Sequence, residues 1–487
     1  MVNYYKLTCF WLLLLCATVR ADAQNVEVLE EARAIGFVKL VQTGSADSLL
    51  AYMQENWIPE EPEHDRGTRW PQLVQTLIER HSELEIVGVT AERPHHLTIM
   101  TEDPSGIFLR FDFEFEPDPP HLILSMELKA DRGAPRFDLP EIDLSAGTSI
   151  DQIAISLEAW FKALSESDKF SGTALVAWHG EPIFSTACGL ANIRWNVPNN
   201  LDTRFDLGSI NKSFTKIAIG QLLSQGKLTL DDVIAKYLPD YPNEQVGCQV
   251  TIRHLLNHTS GLGDIFTEEF FNSSKSLYRK SQDFFPLFVD QPLQFEPGEG
   301  QSYSNAGFMV LGAIIEKVSG EPYDEYVLHH IFEPSGMASS GFFSRDDPVA
   351  NVATGYTLTG EGEDNIQRRS NVFILPIKGN SAGSAQSTVG DLLRFDTALR
   401  EHHLLDPEYT AWYLGGNEPL PDSVQDVSHE RATAAVGIAG GAPGVNSALE
   451  SDGDLAVIVL SNYDPPIAES VASQLFRTLK KVLQETN

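Results

Sequence analysis

An α+β protein in two domains is predicted by three features of the 487-residue sequence: helical periodicity gives way to alternating periodicity before residue 130, a stretch up to residue 149 has neither, and strand-like runs return near the end after a mostly helical middle. With 42% hydrophobic residues the chain can bury a large core, and one compact domain of this length would be unusual.

The first segment, MVNYYKLTCFWLLLLCATVRADAQ, places Lys6 before an apolar run from Leu7 to Val19 and closes on Ala21-Asp22-Ala23. A basic start, a short apolar core and an A-x-A ending predict a secretory signal over residues 1–23, cleaved after Ala23. The run is too short for a comfortable membrane span. A lipidated cysteine expects a small residue before it, and Leu15 before Cys16 is not small. The expected location is therefore periplasmic or secreted. Cys188 and Cys248 remain after cleavage, enough for one bridge at most and far from a disulfide scaffold; both are expected to be buried and unpaired.

Residues 24–130 read as an N-terminal domain. NVEVLEEARAIGFVKLVQTGSADSLLAYMQENW has helical spacing broken at Thr43-Gly44-Ser45, and WPQLVQTLIERH adds a further helical stretch. LEIVGVTAE, HHLTIMTED, IFLRFDFEFEP and HLILSMELK then alternate between Pro, Gly and Asp punctuation, the pattern of an antiparallel meander. Helices lying on one face of a curved sheet follow, an order that resembles the cystatin-like or nuclear-transport-factor-like cone. Residues 131–149, with Pro135 and Pro140, are the expected linker.

The second domain, 150–487, starts with the helical DQIAISLEAWFKALSESDKF and continues in two alternating runs, GTALVAWHG and EPIFSTACGLA, with His179-Gly180 at the turn. After the helical middle, AAVGIAGG, VNSALES and LAVIVLSNY regain strand character and IAESVASQLFRTLKKVL closes as an amphipathic helix. Strands at both ends of the domain are expected to share one sheet.

The formal net charge of −33 is dispersed over short acidic clusters, which excludes nucleic acid and anionic membrane as natural partners and reads as a solvated surface.

The stretch FDLGSINKSFTK contains Ser-x-x-Lys twice, Ser209 with Lys212 and Ser213 with Lys216. A single Ser-x-x-Lys arises by chance roughly once or twice in a chain of this composition, so context decides. Phe205 to Gly208 reads as extended and INKSFTKIAIGQLLSQGKL as helical, which puts Ser209 at a helix start. There a backbone N–H lacks an intrahelical partner and developing negative charge is favoured. Lys212 falls one turn later on the same face. Ser213 lies inside the helix, where N–H groups are committed to the ladder. A second constellation, GQSYSNAGFMVLGAIIEKVSG, sets Tyr303 and Asn305 before a helix with a predicted apolar stripe of Phe308, Leu311, Gly312 and Ile315.

With VTIRHLLNHTSGL and SAGSAQSTVGDLLRFDTAL, these blocks resemble, in order and spacing from about Phe170 to Leu479, the serine β-lactamase and penicillin-binding-protein superfamily, in its branch of class C β-lactamases, D-Ala-D-Ala carboxypeptidases and related esterases. The resemblance implies a sheet covered by helices plus an all-helical lobe, with the site between them. It implies Ser209 as acylated nucleophile, Lys212 as its base, Tyr303 as proton shuttle and Asn305 as substrate-binding partner.

The third motif departs from the family. Where the family places Lys-Thr-Gly or His-x-Gly, this chain has Ile438, Ala439 and Gly440. Gly440 and Gly441 permit close backbone approach and are expected to bind substrate, the Gly441 N–H joining that of Ser209 as an oxyanion hole. Isoleucine offers no positive charge for a substrate carboxylate; losing such a contact costs about 1.5–3 kcal/mol. The expected function is thus an exported serine hydrolase of esters or amides, a carboxylesterase or D-Ala-D-Ala peptidase, with a cell-wall peptide among the candidate substrates. The alternative is a binding protein with weakened turnover. Neither chemical step calls for a metal or organic cofactor, and His254 with His258, four apart but with no evident third ligand, is read as structural.

Overall fold

The computed structural model describes residues 29–42, 46–57, 84–93, 95–102, 108–116, 119–131, 139–142, 144, 148–359, 367–415 and 431–484. The expected signal and the helical stretch around 70–81 lie outside the described residues. The chain divides into two compact units, Met1–Arg136 and Phe137–Asn487.

In the smaller unit, helices α1 (29–42) and α2 (Ala46–Asn56) accompany a four-stranded antiparallel meander, β1 (Glu85–Arg93), β2 (His96–Glu102), β3 (Phe108–Phe115) and β4 (Ile123–Asp131), paired in sequence order. The period-two pattern of β3 sends Phe111, Phe113 and Phe115 to one face, where they are buried with Phe37, Val38 and Val41 of α1 and Leu49 and Met53 of α2. Phe37 stands 5.8 Å from the Phe113 ring and 5.2 Å from Trp57. Each fully buried aromatic contributes roughly 2–3 kcal/mol of transfer free energy, so this face holds the unit together.

The larger unit is built on a five-stranded antiparallel sheet. Its strands are β5 (Gly172–Trp178), β6 (Glu181–Cys188), β7 (Val436–Ala442), β8 (Val445–Ser451) and β9 (Leu455–Ser461), in the order β7-β8-β9-β5-β6. Strands from the two ends of the domain do share one sheet: β9 pairs with β5 from Leu455 opposite Trp178 to Ser461 opposite Gly172. The alternation expected of GTALVAW is absent, because β5 is a central strand buried on both faces. Ala174 and Val176 face a core closed by α3 (Ile150–Glu166) and by the final helix, whose Val471, Leu475 and Leu479 are buried there. Leu175 and Ala177 face the opposite core, shared with Phe214 and Ile217 of α4 (Asn211–Ser224), with α5 (Asn305–Ser319) and with Leu392 and Phe395 of α6 (Val389–Arg400). The final helix is α7 (Ile467–Gln484).

Part of the expected linker belongs to this unit. Leu139, Ile142 and Leu144 pack on the first core, and the Pro140 carbonyl accepts from Trp160 Nε1 at 2.7 Å and from Gln474 Nε2 at 3.0 Å. Prolines made the stretch look unstructured, yet its intervening aliphatic residues find an apolar groove. Cys188 and Cys248 are free thiols; Cys188 is half-buried, and Cys248 is exposed where burial was expected.

Two features fix the cleft walls. The stripe expected on α5 is a helix buried all round from Asn305 to Ile315, capped by Ser304 Oγ accepting from the Gly307 N–H at 3.0 Å. Arg400, fully buried, grips Asp396 through Nε at 2.9 and 3.0 Å and donates to the carbonyls of Ala432, Ala434 and Ser451, anchoring the approach to β7. Removing either partner of such a buried pair costs about 3–5 kcal/mol.

Candidate active site

Ser209 sits in a single 3₁₀ turn, Gly208–Ile210, that leads into α4. The turn follows a short extended pair, Phe205–Asp206 against Gln386–Ser387. Gly208, at φ +50°, accepts from the Ser384 N–H at 3.1 Å, and Leu207 N–H donates to the Ala385 carbonyl at 2.8 Å. Asn211 Nδ2 donates to the Asn380 carbonyl at 2.7 Å. The loop 380–385 thus holds the turn along its length, so the serine is presented by a rigid backbone.

Lys212, one turn on, is buried, with three acceptors around its amine: Ser209 Oγ at 3.1 Å, Asn305 Oδ1 at 2.7 Å and the Ala382 carbonyl at 2.6 Å. Burial pulls its pKa down to about 7; the Asp264 carboxylate opposes this and the Lys216 charge reinforces it. The neutral amine has two N–H groups, which the Asn305 and Ala382 oxygens take, leaving its lone pair for the Ser209 proton. Asn305 is held in that sense because its Nδ2 donates to both Asp264 oxygens, at 3.1 and 2.9 Å.

Tyr303 Oη lies 2.6 Å from Ser209 Oγ. Desolvation raises its pKa, with the Ser209 hydrogen bond pulling the other way, so at neutral pH the phenol keeps its proton. The His258 ring stacks on Tyr303 at 4.6 Å, and its Nδ1 accepts from the Ser304 N–H at 3.1 Å. Burial, with the charges of Lys212 and Lys216, pushes the His258 pKa down to about 4, so it serves as a flat neutral support. His254 instead accepts from the Thr251 N–H in a capping box.

On the opposite wall, β7 brings Gly440 and Gly441 against the turn. A Cβ on Gly440 would stand 2.0 Å from the Leu207 carbonyl oxygen and 2.7 Å from the Ser209 nitrogen, closer than any side chain permits. Gly441 lines the cleft cavity, whereas Gly440 is buried beneath it as the point of close approach. Ile438 shares the Gly440 face two residues along the strand, about 7 Å away at the usual rise, and packs against the core.

The cavity, about 380 Å³, is lined by Ser209, Tyr303, Asn305 and Gly441 together with Phe266, Phe271, Ile374, Leu375 and Pro376. No charged side chain is among the described residues that line it. Ser209, Lys212, Tyr303 and Asn305 therefore converge as a hydrogen-bonded chain. Ser213 and Lys216, the second copy of the motif, do not: Ser213 is buried inside α4 and Lys216 is half-buried one turn below. His429, upstream of the third motif and read from the sequence as a surface histidine, lies outside the described residues.

Sequence reasoning missed Asp264, the Ala382 carbonyl, the stacking of His258 and the aromatic rim. The first three sit in the blocks HTSGLGD and SAGS, which lie in or beside segments that carry the family resemblance but whose spacing does not fix which side chain each residue meets.

The family model described as Beta-lactamase matches residues 157–478. A penicillin-binding protein of Bacillus subtilis (strain 168) is 34% identical over 254 residues, covering 50% of this chain and 55% of that protein. Esterase EstB of Burkholderia gladioli is 35% identical over 211 residues, covering 40% and 53% respectively; the chain thus spans about half the length of these two relatives. The crystal structure of a penicillin binding protein from Bacillus halodurans aligns with a TM-score of 0.55 at 33% identity, covering 66% of this chain and 98% of that one.

Proposed function

The chain belongs to the Beta-lactamase family, and from that premise we propose that it is an exported acyl-enzyme serine hydrolase whose preferred substrates are apolar esters or amides without a carboxylate next to the scissile bond. The observation that carries this reading is the Lys212–Ser209–Tyr303 hydrogen-bonded chain opening into a cavity whose described lining bears no charge.

Neutral Lys212 takes the Ser209 hydroxyl proton as Oγ attacks the acyl carbon. The Ser209 and Gly441 N–H groups stabilise the oxyanion, and Tyr303, still protonated, hands its proton to the leaving alcohol or amine. Water then enters from the cleft, and the same groups run in reverse to release the acid. Asn305 orients Lys212 and meets the substrate at the cavity wall. Phe266, Phe271, Ile374 and Leu375 offer the acyl or alcohol portion an apolar surface, worth about 25 cal/mol per Å² covered. Both sequence relatives are named for chemistry at esters or for penicillin binding, which agrees with a serine nucleophile; Ile438 weighs against substrates that need a carboxylate contact. The leader-like residues 1–23 support export, and no described helix is long and apolar enough to cross a membrane.

The test is a panel of p-nitrophenyl esters of increasing acyl length beside a chromogenic cephalosporin and a D-Ala-D-Ala peptide, with fluorophosphonate labelling read by mass spectrometry. We expect label on Ser209, none in Ser209→Ala, and turnover of the esters above the other two. Label at another residue, or turnover of the cephalosporin alone, overturns the assignment. An inactive but labelled wild type would instead favour a binding protein.

A further inference from the structure

In the smaller unit, three side chains from separate parts of the chain point their donor atoms at one spot. Glu30 comes from the first turn of α1, His95 from the turn between β1 and β2, and His121 from the approach to β4; their ligand atoms all lie within 4.8 Å of one another. We propose that Glu30, His95 and His121 form a binding site for a divalent transition-metal ion of the zinc type, tying the helix to the two turns.

The local chemistry has the marks of such a site. His121 Nδ1 donates to the Glu116 carbonyl at 2.9 Å, which fixes its tautomer and leaves the Nε2 lone pair free for a cation. Metal-bound histidines are oriented in this way, by a backbone or carboxylate acceptor on the second ring nitrogen. Glu30 is 4% exposed, and the His95 Nδ1 facing its Oε1 at 2.7 Å is the nitrogen whose proton a metal would replace. A carboxyl group this deeply buried needs polar partners, and a metal ion held between it and the two imidazole rings would supply one.

The backbone gives an independent indication. His95 and His121 both adopt the left-handed conformation, at φ +60° and +56°. Both residues thus sit in a conformation that side-chain-bearing residues uncommonly adopt, and both serve the same spot. Arg33, one turn after Glu30 on α1, clamps the second turn by donating to the His121 carbonyl at 2.8 Å. The rings of His95 and His121 lie nearly parallel, 10° apart with centroids at 5.7 Å. Ligands about 2.0–2.1 Å from a tetrahedral zinc stand about 3.3 Å apart, so the widest gap must close by about 1.5 Å at most. The half-exposed His95 ring can supply that movement by rotating, and the fourth position would fall to water.

Full-length protein freed of metal with a chelator is titrated with ZnCl₂ in excess Mg²⁺, which occupies oxygen-only acidic clusters but not imidazole sites. One equivalent of zinc is expected, raising the melting temperature, with affinity falling at least tenfold in Glu30→Gln and in His121→Gln. Absence of saturable uptake by the wild type, or equal uptake by folded variants, overturns the proposal. Because the variants can lose their fold, zinc-edge X-ray absorption of the wild type supplies a separate readout. Two imidazole nitrogens with oxygen are expected in the shell; sulfur, or a shell of oxygen alone, overturns it.

Discussion

The two walls of the cleft are made in opposite ways. On the α4 and α5 side, chemistry rests on side chains fixed by other side chains: Lys212 is held by Asn305, Asn305 by Asp264, and Tyr303 by the His258 ring. On the β7 side it rests on the absence of side chains, with Gly440 allowing the strand to touch the Ser209 turn and Gly441 facing the cavity. The first wall should therefore fail when atoms are removed, and the second when atoms are added.

Lys212→Ala is the most severe test of the first wall. Removing the base should lower kcat by about 10²–10⁴-fold with KM little changed, measured on the preferred p-nitrophenyl ester. Lys216→Ala, in the second copy of the motif, should stay within a few-fold. Comparable losses in both would mean that the doubled motif is shared and that the selection of Ser209 with Lys212 is mistaken.

Gly440→Ala tests the second wall by a single methyl. With a backbone oxygen 2.0 Å from the new Cβ, the strand must retreat from Ser209, because neither partner is a flexible side chain. We expect roughly a hundredfold loss of kcat through a displaced oxyanion donor, in a protein whose circular dichroism still shows a folded chain. Wild-type activity in Gly440→Ala would show that the β7 backbone takes no part in the reaction.

Ile438→Lys asks whether the second wall can regain a side-chain role. Position 438 lies about 7 Å along the strand from Gly440 on the same face, within reach of a lysine stem directed at the cleft. Substrates carrying a carboxylate should bind about ten- to a hundredfold more tightly, read as a fall in KM, while neutral esters lose a little apolar packing. No change in that ratio would separate carboxylate recognition from this position.

The contrast also explains what could be read in advance. Ser209 and Lys212 were legible from a helix start with a lysine one turn on, and Tyr303 and Asn305 only through the resemblance of their block, in order and spacing with the others, to the family's second motif; the structure brings the four together. The two-domain α+β layout was legible because the β3 alternation and the returning strands at 436–461 are local patterns. Long-range pairings were not. Nothing in the sequence places Ala382 on Lys212, nor Glu30 beside residues 95 and 121, since those contacts depend on how the loops close. The burial of β5 on both faces was misread because periodicity cannot tell a central strand from an edge strand until its neighbours are known.

The smallest expected effect is the most informative about the first wall, because it measures its electrostatics without dismantling it. Catalysis by a neutral Lys212 predicts an ascending limb in kcat/KM near pH 7, where the amine gives up its proton in the buried site. Asp264 holds that pKa up and Lys216 holds it down. Asp264→Asn removes a charge that favours the ammonium, so the limb should move to lower pH; Lys216→Met removes one that disfavours it, so the limb should move to higher pH. Each shift should be on the order of a few tenths of a unit to one unit, and the two should have opposite signs. An ascending limb that ignores both substitutions would assign the titration to another group. Shifts in the same direction would mean that the variants act by rearranging Asn305 rather than by charge.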